Sequence, residues 1–433
     1  MPGRVAQAVA PDVIRRLAAR LTAGAVIVTG TNGKTTTSRL ISHIAHAAGL
    51  SPVHNRAGAN LASGIAAALV HHASALGMLR GDLGVFEVDE ATLPVITGTL
   101  VPRSIVLTNL FRDQLDRYGE IDLVAGRWQR ALSLVPAHTA VIFNADDPLV
   151  ADVGTGYPGP RLAFGIADAS CGVGTMEHAA DARYCYRCGS RYHYEAVYFG
   201  HMGLYHCEGC GWRRPVPDVV ATDVRMLGIA GTEFTVASSA GSRRVRIPLP
   251  GVYNVHNVIA AAAACLQLGI SLDTIAARIE TFAPAFGRAE SIRLDDREAV
   301  VLLAKNPAGF NEVLRTVLKE SKDSVVLIAI NDLTADGRDI SWLWDVDFEM
   351  LASGSAPIIV SGLRAEDMAL RLRYAGVDDG RVLRLNALDA AVDAARARAG
   401  AGERIFMLPT YTAMLELRRI LQQRGLVRRF WEQ

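Results

Sequence analysis

The stretch AVIVTGTNGKTTTSRLISHIAHAAG, residues 25–49, decides the fold of the first half of this chain. It begins with an apolar run typical of a buried strand, passes through a glycine-rich turn, and ends in a segment that favours a helix. The turn, GTNGKTTT at 30–37, fits the Gly-x-x-Gly-Lys-Thr end of a phosphate-binding loop. Because such a loop needs a strand before it and a helix after it, the context supports the motif over a chance glycine-rich turn.

The residues of this loop predict ATP or GTP binding. Backbone N–H groups and the helix N-terminus are suited to hold phosphate oxygens. Lys34 would bring its charge to the outer phosphates, and the Thr35 hydroxyl can ligate Mg²⁺. The predicted nucleotide contacts of the loop are Gly30, Asn32, Gly33, Lys34, Thr35 and Thr36.

Length and composition restrict the class of protein. The 433 residues can form two or three domains, and half of them are hydrophobic. The formal net charge of +1 gives no field that would attract nucleic acid. We find no signal-cleavage pattern and no run of about 18 apolar residues that would span a membrane. We therefore expect a cytoplasmic protein, in which six cysteines favour metal binding or core packing over disulfides.

The chain contains two regions in which strand-like and helix-like segments alternate. Strand-like runs at 82–88, 103–109 and 139–144 alternate with helix-like segments, which predicts a largely parallel sheet. Between about 170 and 245 the sequence is rich in aromatic residues, Gly and Cys, and a second alternation follows the stretch FAPAFGRAES at 282–291. We predict a central ATP-binding domain over 1–290, with an insertion at about 180–215, and a C-terminal Rossmann-like α/β domain over 291–433.

Four cysteines in the insertion have the spacing of a zinc ribbon. CYRC at 185–188 and CEGC at 207–210 are separated by eighteen residues. The predicted ligands are Cys185, Cys188, Cys207 and Cys210. Because thiolates fill all four positions, we expect Zn²⁺ to be structural. A ribbon can also grip nucleic acid, but this spacer carries one Arg, so we expect no nucleic-acid partner.

Seven motifs in order resemble the Mur ligase family, which joins amino acids or amines to carboxylates through an acyl phosphate. The resemblance implies that family's P-loop central domain and C-terminal domain. Besides GTNGKTT, the motifs are FEVDEATLP at 86–94, LTNLFRDQLDRYGE at 107–120, FNADDP at 143–148, GVYNVHNVIAAAA at 251–263, FGRAE at 286–290 and LAKNPAGFNE at 303–312.

The resemblance also implies roles for single residues. Glu87 matches the Glu that holds Mg²⁺, with Glu90 as second choice, and Gln114 stands where the family has His. Asn109 belongs to the Thr-Asn motif. The remaining implied nucleotide contacts are Asn254 and Asn257 near the adenine and Arg288 at a phosphate, and Lys305, near the γ-phosphate, is implied to be catalytic.

Two departures from the family pattern are visible. The phosphate loop begins at residue 30, which leaves no room before it for the usual domain that binds a UDP-sugar. Many family members hold a second Mg²⁺ with a carbamylated Lys, whereas no Lys occurs here from 35 to 304. How the substrate and a second metal ion would be held therefore stays open.

The segment NDLTADGRDISWLWDVDFE at 331–349, with the ribbon, resembles one branch of the family. These are the ligase subunits that amidate lipid II, the lipid-linked peptidoglycan precursor, with ammonia from a separate glutaminase subunit. The resemblance implies a heterodimer in which an acid of DGRDISWLWD at 336–345 completes the partner's catalytic triad. Asp345 is the first candidate and Asp339 the second. Trp342 and Trp344 suit an interface, with core packing as the alternative.

Two other functions stay open at this point. One is a self-sufficient Mur-like amino-acid ligase, similar to folylpolyglutamate synthases, which needs no glutaminase. The other is an ATP-dependent nucleic-acid-binding module built on the ribbon. For the favoured function we expect ATP, Mg²⁺ and structural Zn²⁺ as cofactors, and a cytoplasmic location with peripheral attachment where the membrane holds lipid II.

Overall fold

The computed structural model describes residues 2–55, 59–112, 121–173, 176, 180–283, 288–320 and 323–427. Its strands form a nine-stranded sheet, a six-stranded sheet and a separate hairpin. The strands are β1 (Gly24–Thr29), β2 (Pro52–His54), β3 (Leu83–Glu87), β4 (Ser104–Leu107), β5 (Ala140–Asn144), β6 (Arg161–Ile166), β7 (Tyr192–Phe199), β8 (Met202–Cys207), β9 (Val219–Met226), β10 (Thr232–Ser238), β11 (Gly241–Ile247), β12 (Arg288–Leu294), β13 (Arg297–Leu302), β14 (Val325–Ala329), β15 (Ile358–Ser361), β16 (Val382–Arg384) and β17 (Arg404–Pro409).

Helices cover both large sheets. The described helices are α1 (Pro2–Val9), α2 (Val13–Ala18), α3 (Lys34–Ala47), α4 (Ala62–His71), α5 (Leu93–Thr97), α6 (Ile121–Leu134), α7 (Pro148–Gly156), α8 (Val252–Gln267), α9 (Leu272–Glu280), α10 (Pro307–Glu320), α11 (Ala365–Tyr374), α12 (Leu388–Arg398) and α13 (Tyr411–Gln423). Within the described ranges, no helix is both long and apolar enough to cross a membrane.

The central sheet explains the apolar runs read from the sequence. Its order is β11-β10-β9-β6-β5-β4-β1-β3-β2, and β1 to β6 are parallel. Val26 packs toward α3 and α8, whereas Ile27 packs toward α4 and α6, so β1 is buried on both faces. Strand β1 lies between β3 and β4. After β1 the chain first forms β2 and β3 on one side of β1, and then β4 on the other side. The loop after β1 therefore opens at a topological switch point, where α/β sheets bind ligands.

The insertion forms the antiparallel hairpin β7–β8, which is separate from the large sheets. After it the chain returns as β9, which runs parallel to β6, and the antiparallel strands β10 and β11 extend the central sheet. The stretch TEFTVAS forms β10, and GSRRVRI forms β11, the edge strand of the central sheet.

The C-terminal domain is a second α/β unit, as predicted. Its sheet has the order β12-β13-β17-β14-β15-β16, and only the β12–β13 pair is antiparallel. Ile328 and Leu327 of β14 pack on opposite faces, toward α10 and toward α12 with α13 respectively. The first strand of this sheet begins at Arg288, inside the stretch 282–291 where the change of domain was expected.

Candidate active site

The phosphate loop needs glycine at two positions for steric reasons. Gly30 and Gly33 have φ values of +134° and +84°, in the region that favours glycine. A Cβ at Gly30 would lie 2.2 Å from Thr108 Oγ1, and one at Gly33 would lie 1.9 Å from Asn257 Oδ1. The backbone of the loop is therefore packed directly against the ends of β4 and α8.

Lys34 is buried in this loop and forms an ion pair. Its Nζ lies 3.0 Å from Glu90 Oε2 and donates to the carbonyl oxygens of Thr31, at 3.1 Å, and Gly30. Burial opposes charge on both side chains, but their mutual attraction outweighs it. The pKa of Lys34 is therefore raised and that of Glu90 lowered. Both groups are charged at neutral pH.

Thr35 and Glu87 form a pair of oxygen ligands at the other side of the loop. Thr35 Oγ1 donates to Glu87 Oε2 at 2.8 Å. Hydroxyl and carboxylate oxygens are the donors that Mg²⁺ prefers, so this pair fits the ion expected of Glu87. Asn55, which the sequence reading did not identify, positions Glu87 through hydrogen bonds of 2.8 Å to its backbone N–H and C=O. In the sequence, the one indication of this role is that Asn55 directly follows β2, the strand that pairs with β3. The Mg²⁺ assignment stays a prediction.

Asn109 braces the loop from the end of β4. Its Oδ1 accepts from the backbone N–H of Asn32 at 2.8 Å, and its Nδ2 donates to the Asn32 carbonyl at 3.1 Å. Asn254 and Asn257 lie one helical turn apart at the start of α8, and Asn257 Nδ2 donates to Asn254 Oδ1 at 3.0 Å. Thr36 is buried in α3, where its Oγ1 has no hydrogen-bond partner among the described residues. The residues predicted to contact the nucleotide thus lie close together around the phosphate loop.

The C-terminal domain reaches the phosphate loop. Lys305 Nζ donates to the Thr31 carbonyl at 3.4 Å, and Asn306 Nδ2 donates to Asn32 Oδ1 at 2.8 Å. Asn306 was not predicted, although it is adjacent to Lys305 in the AKNP motif. A second cation therefore stands beside Lys34 at the loop. Two positions singled out from the sequence, Gln114 and the Arg288 side chain, lie outside the described residues.

The four ribbon cysteines converge as predicted. Their sulfur atoms all lie within 4.8 Å of one another, with 3.7 Å between Cys185 and Cys210 and 3.4 Å between Cys188 and Cys207. Four thiolates about 2.3 Å from a tetrahedral Zn²⁺ would be about 3.8 Å apart, so the cluster fits this ion. Among the described residues, no His, Asp or Glu joins this group. The donor set therefore matches a closed structural site.

The acidic segment after β14 forms two short 3₁₀ turns, Ser341–Asp345 and Phe348–Leu351. Asp345 is partly buried, whereas Asp339 is exposed and accepts from the backbone N–H of Ser341 at 2.8 Å. The two tryptophans separate. Trp342 packs in the core near Phe310, and Trp344 is 52% exposed.

Two family models match parts of the chain that contribute to this site. Residues 28–182 match the Mur ligase middle domain, and residues 303–414 match the MurT ligase C-terminal domain. The chain is 34% identical over 387 residues to the lipid II isoglutaminyl synthase (glutamine-hydrolyzing) subunit MurT of Staphylococcus aureus. The alignment covers 87% of this chain and 83% of that protein. The chain belongs to the MurT family.

Other comparisons agree with membership of the MurT family. The subunit MurT of Streptococcus pneumoniae is 32% identical, over 99% of this chain and 93% of its own length. A solved pseudomurein peptide ligase type C from Methanothermus fervidus has a TM-score of 0.71 at 23% identity, over 92% of this chain and 78% of that one. That likeness shows the Mur ligase fold. As a MurT family member, the chain is an ATP-dependent ligase.

Proposed function

We propose that this chain is the synthetase subunit of an enzyme that amidates the α-carboxylate of D-glutamate in the stem peptide of lipid II, giving D-isoglutamine for peptidoglycan synthesis. One observation carries the proposal. The match to the MurT C-terminal domain at 303–414 includes both Lys305, which lies at the phosphate loop, and Asp345, which lies in the acidic segment. One domain would thus serve the ligase reaction and a partner subunit.

The first chemical step activates a poor electrophile. A carboxylate oxygen of the substrate attacks the γ-phosphorus of ATP, the bond from that phosphorus to the bridging oxygen breaks, and ADP leaves. The product is an acyl phosphate. Lys34 and Lys305 both donate to the Thr31 carbonyl and would stabilise the negative charge of the transferred phosphoryl group. Thr35 and Glu87 would hold Mg²⁺, which supplies further positive charge at the phosphates.

The second step forms the amide. Ammonia attacks the carbonyl carbon of the acyl phosphate, the carbon–oxygen bond to phosphate breaks, and the nitrogen loses a proton. Ammonia in solution at neutral pH is mostly ammonium, which is not a nucleophile. A docked glutaminase would release neutral ammonia close to the acyl phosphate, which favours a heterodimer. The MurT relatives are named as subunits of a glutamine-hydrolyzing synthase, which also supports a heterodimer.

The partner surface would lie around the acidic segment. A glutaminase Cys–His pair needs an acid that orients the imidazole and stabilises its protonated form. Asp345, which ends the Trp-x-Trp-Asp element of the segment, is the first candidate, and Asp339 is the second. The exposed Trp344 stands next to Asp345 in the chain and contacts Tyr374 edge to face, with ring centroids 5.5 Å apart. Tyr374 is itself 71% exposed, so the two rings offer an aromatic anchor.

The substrate fixes the expected location. Lipid II lies in the membrane with its peptide in water, so the enzyme would act from the cytoplasm and attach to the membrane surface only peripherally.

The proposal is tested with the complex. The chain is co-expressed with a candidate glutaminase, purified, and assayed for lipid II amidation with glutamine and, separately, with ammonium. We expect both activities in the wild type. Asp345→Asn should lose the glutamine-dependent activity and keep the ammonium-dependent one, and the matched Asp339→Asn should keep both.

Other results would redirect the assignment. If Asp339→Asn shows the selective loss instead, Asp339 completes the triad. If Asp345→Asn loses both activities, Asp345 serves the ligase or the fold. Glutamine-dependent activity of the chain without any partner would contradict the heterodimer, and ligation of an amino acid would favour a stand-alone ligase.

A further inference from the structure

One buried carboxylate links the zinc ribbon to the nucleotide site. Asp146 is fully buried, and its Oδ1 accepts from Arg214 Nε. Its Oδ2 lies 2.8 Å from His256 Nε2 and accepts from the backbone N–H of Ile166 at the same distance. Both oxygens are thus engaged, and burial, which opposes the charge, is outweighed by Arg214 and His256, so the pKa of Asp146 is lowered.

Arg214 belongs to the ribbon. Its backbone N–H donates to the Tyr205 carbonyl of β8 at 3.0 Å. The zinc ligand Cys207 ends the same strand, and its N–H donates to the Trp212 carbonyl at 2.7 Å. The position of the Arg214 guanidinium therefore depends on the part of the ribbon that the metal ion would hold in place.

His256 belongs to the nucleotide site. It lies on α8 between Asn254 and Asn257, the two residues expected near the adenine. Asn257 Oδ1 is the atom that a Cβ on Gly33 of the phosphate loop would strike. A displacement of His256 would therefore move the start of α8 relative to the loop.

The ribbon also contacts the nucleotide site through Asp147, the residue after Asp146. Asp147 Oδ2 accepts from the backbone N–H of Leu110 at 2.8 Å, next to Asn109, which braces the loop. His201, at the tip of the β7–β8 hairpin, lies 3.4 Å from the same oxygen. The backbone carbonyl of Asp146 also accepts from Gly203 N–H at 2.9 Å. The ribbon thus meets the ends of both β4 and α8.

We propose that the ribbon is an allosteric part of the nucleotide site, in which Arg214 and His256 are positioning residues and zinc occupancy is thermodynamically coupled to nucleotide affinity. The proposal rests on the proposed use of ATP. Its physical basis is the high cost of leaving a buried charge without its partner, which forces Asp146 and its neighbours to rearrange when Arg214 is withdrawn. Neither Arg214 nor His256 needs to touch the nucleotide.

The coupling is measured by a thermodynamic cycle that combines zinc removal with the Arg214→Ala substitution in the full chain. The measured quantity is the dissociation constant of ADP. In the wild type, removal of zinc by a chelator should raise the dissociation constant of ADP by roughly tenfold, within the usual range of allosteric coupling. Zinc-loaded Arg214→Ala should already show the weaker ADP binding, and chelation should weaken it little further, because the link is cut. Arg213→Ala, which changes an exposed neighbouring Arg, should behave like the wild type.

The reciprocal measurement compares the zinc affinity of the wild type with and without saturating ADP. Linkage requires that saturating ADP raise the zinc affinity of the wild type by the same factor by which zinc raises ADP affinity. If Arg214 had only a structural role, Arg214→Ala would lower the melting temperature but leave the effect of ADP on zinc affinity as in the wild type. Zinc affinity that is unchanged by ADP would overturn the proposal. A wild type that binds no ADP would overturn the proposed function as well, so the two failures are distinguishable.

Discussion

Lys34 Nζ and Glu90 Oε2 lie 3.0 Å apart, and both side chains are almost completely buried at the phosphate loop. The charge that would meet the outer phosphates of ATP is therefore already compensated by a carboxylate from the adjacent strand end. Glu90 was the second candidate for the Mg²⁺ ligand, but its described contact is with this lysine. Glu87 instead lies against Thr35, so the two acids of FEVDE have different neighbours.

Removal of one member of this pair should destabilise the fold. Lys34→Met leaves Glu90 buried without its ion-pair partner, and we expect a loss of about 3–5 kcal/mol in the free energy of unfolding. The double variant Lys34→Met/Glu90→Gln removes both charges and should recover most of that stability. Denaturant unfolding and ADP titration separate the effects, because the double variant should still fail to bind ADP. Nucleotide binding by the double variant would contradict the role of Lys34.

Zinc removal tests the ribbon. Cys207→Ser replaces a buried cysteine of the cluster, and the purified protein should lose the one zinc ion per chain that we expect in the wild type, because three thiolates bind Zn²⁺ less tightly than four. Cys171→Ser is the matched control, since Cys171 lies outside the cluster, and it should retain zinc. Metal content by elemental analysis decides the result. Full zinc in the Cys207→Ser protein would exclude the four-thiolate site.

The two tryptophans of the acidic segment should respond differently to truncation. Trp342→Ala removes a ring that packs in the C-terminal core near Phe310, and we expect it to cost about 2 kcal/mol of stability. Trp344→Ala removes a half-exposed ring that contacts Tyr374, and we expect a cost of about 1 kcal/mol.

The same variants separate stability from partner binding. Trp344→Ala should weaken the complex with the glutaminase in a pull-down or by calorimetry, whereas Trp342→Ala should weaken it only to the extent that the domain unfolds. Equal affinity of Trp344→Ala and wild type for the partner would place the docking surface elsewhere.

His54 should make the protein less stable in mild acid. Burial, helped by the nearby Arg39, lowers the pKa of His54 to about 4 from 6.5 in the unfolded chain. The unfolded chain therefore binds the proton first as the pH falls. The stability that depends on neutral His54 is fully present above pH 6.5 and is lost between pH 6.5 and pH 4, by about 3 kcal/mol in total.

The His54→Gln variant tests this dependence. Unfolding followed from pH 7 to pH 4 should give a flatter loss of stability than in the wild type. His138→Gln, at an exposed position, should leave the profile unchanged. Parallel profiles of His54→Gln and wild type would show that another group controls the acid response.

The sequence by itself determined the fold class, the phosphate loop, the four-cysteine cluster and the family resemblance. These features depend on local order: a loop such as GTNGKTTT needs a preceding strand and a following helix, and CYRC with CEGC places two sulfurs on each of two tight turns. Most predicted strands were also confirmed, because a strand buried on both faces is an uninterrupted apolar run.

Only the tertiary structure decided which distant residues share a site. Asn55 supports Glu87, Asn306 meets Asn32, and Arg214 reaches His256 through Asp146. These partners are far apart in the chain, and polar residues of the same type occur on many surfaces. A hydrogen bond needs donor and acceptor within about 3 Å. Only the packing of the sheets, the ribbon and α8 against one another places them at that distance.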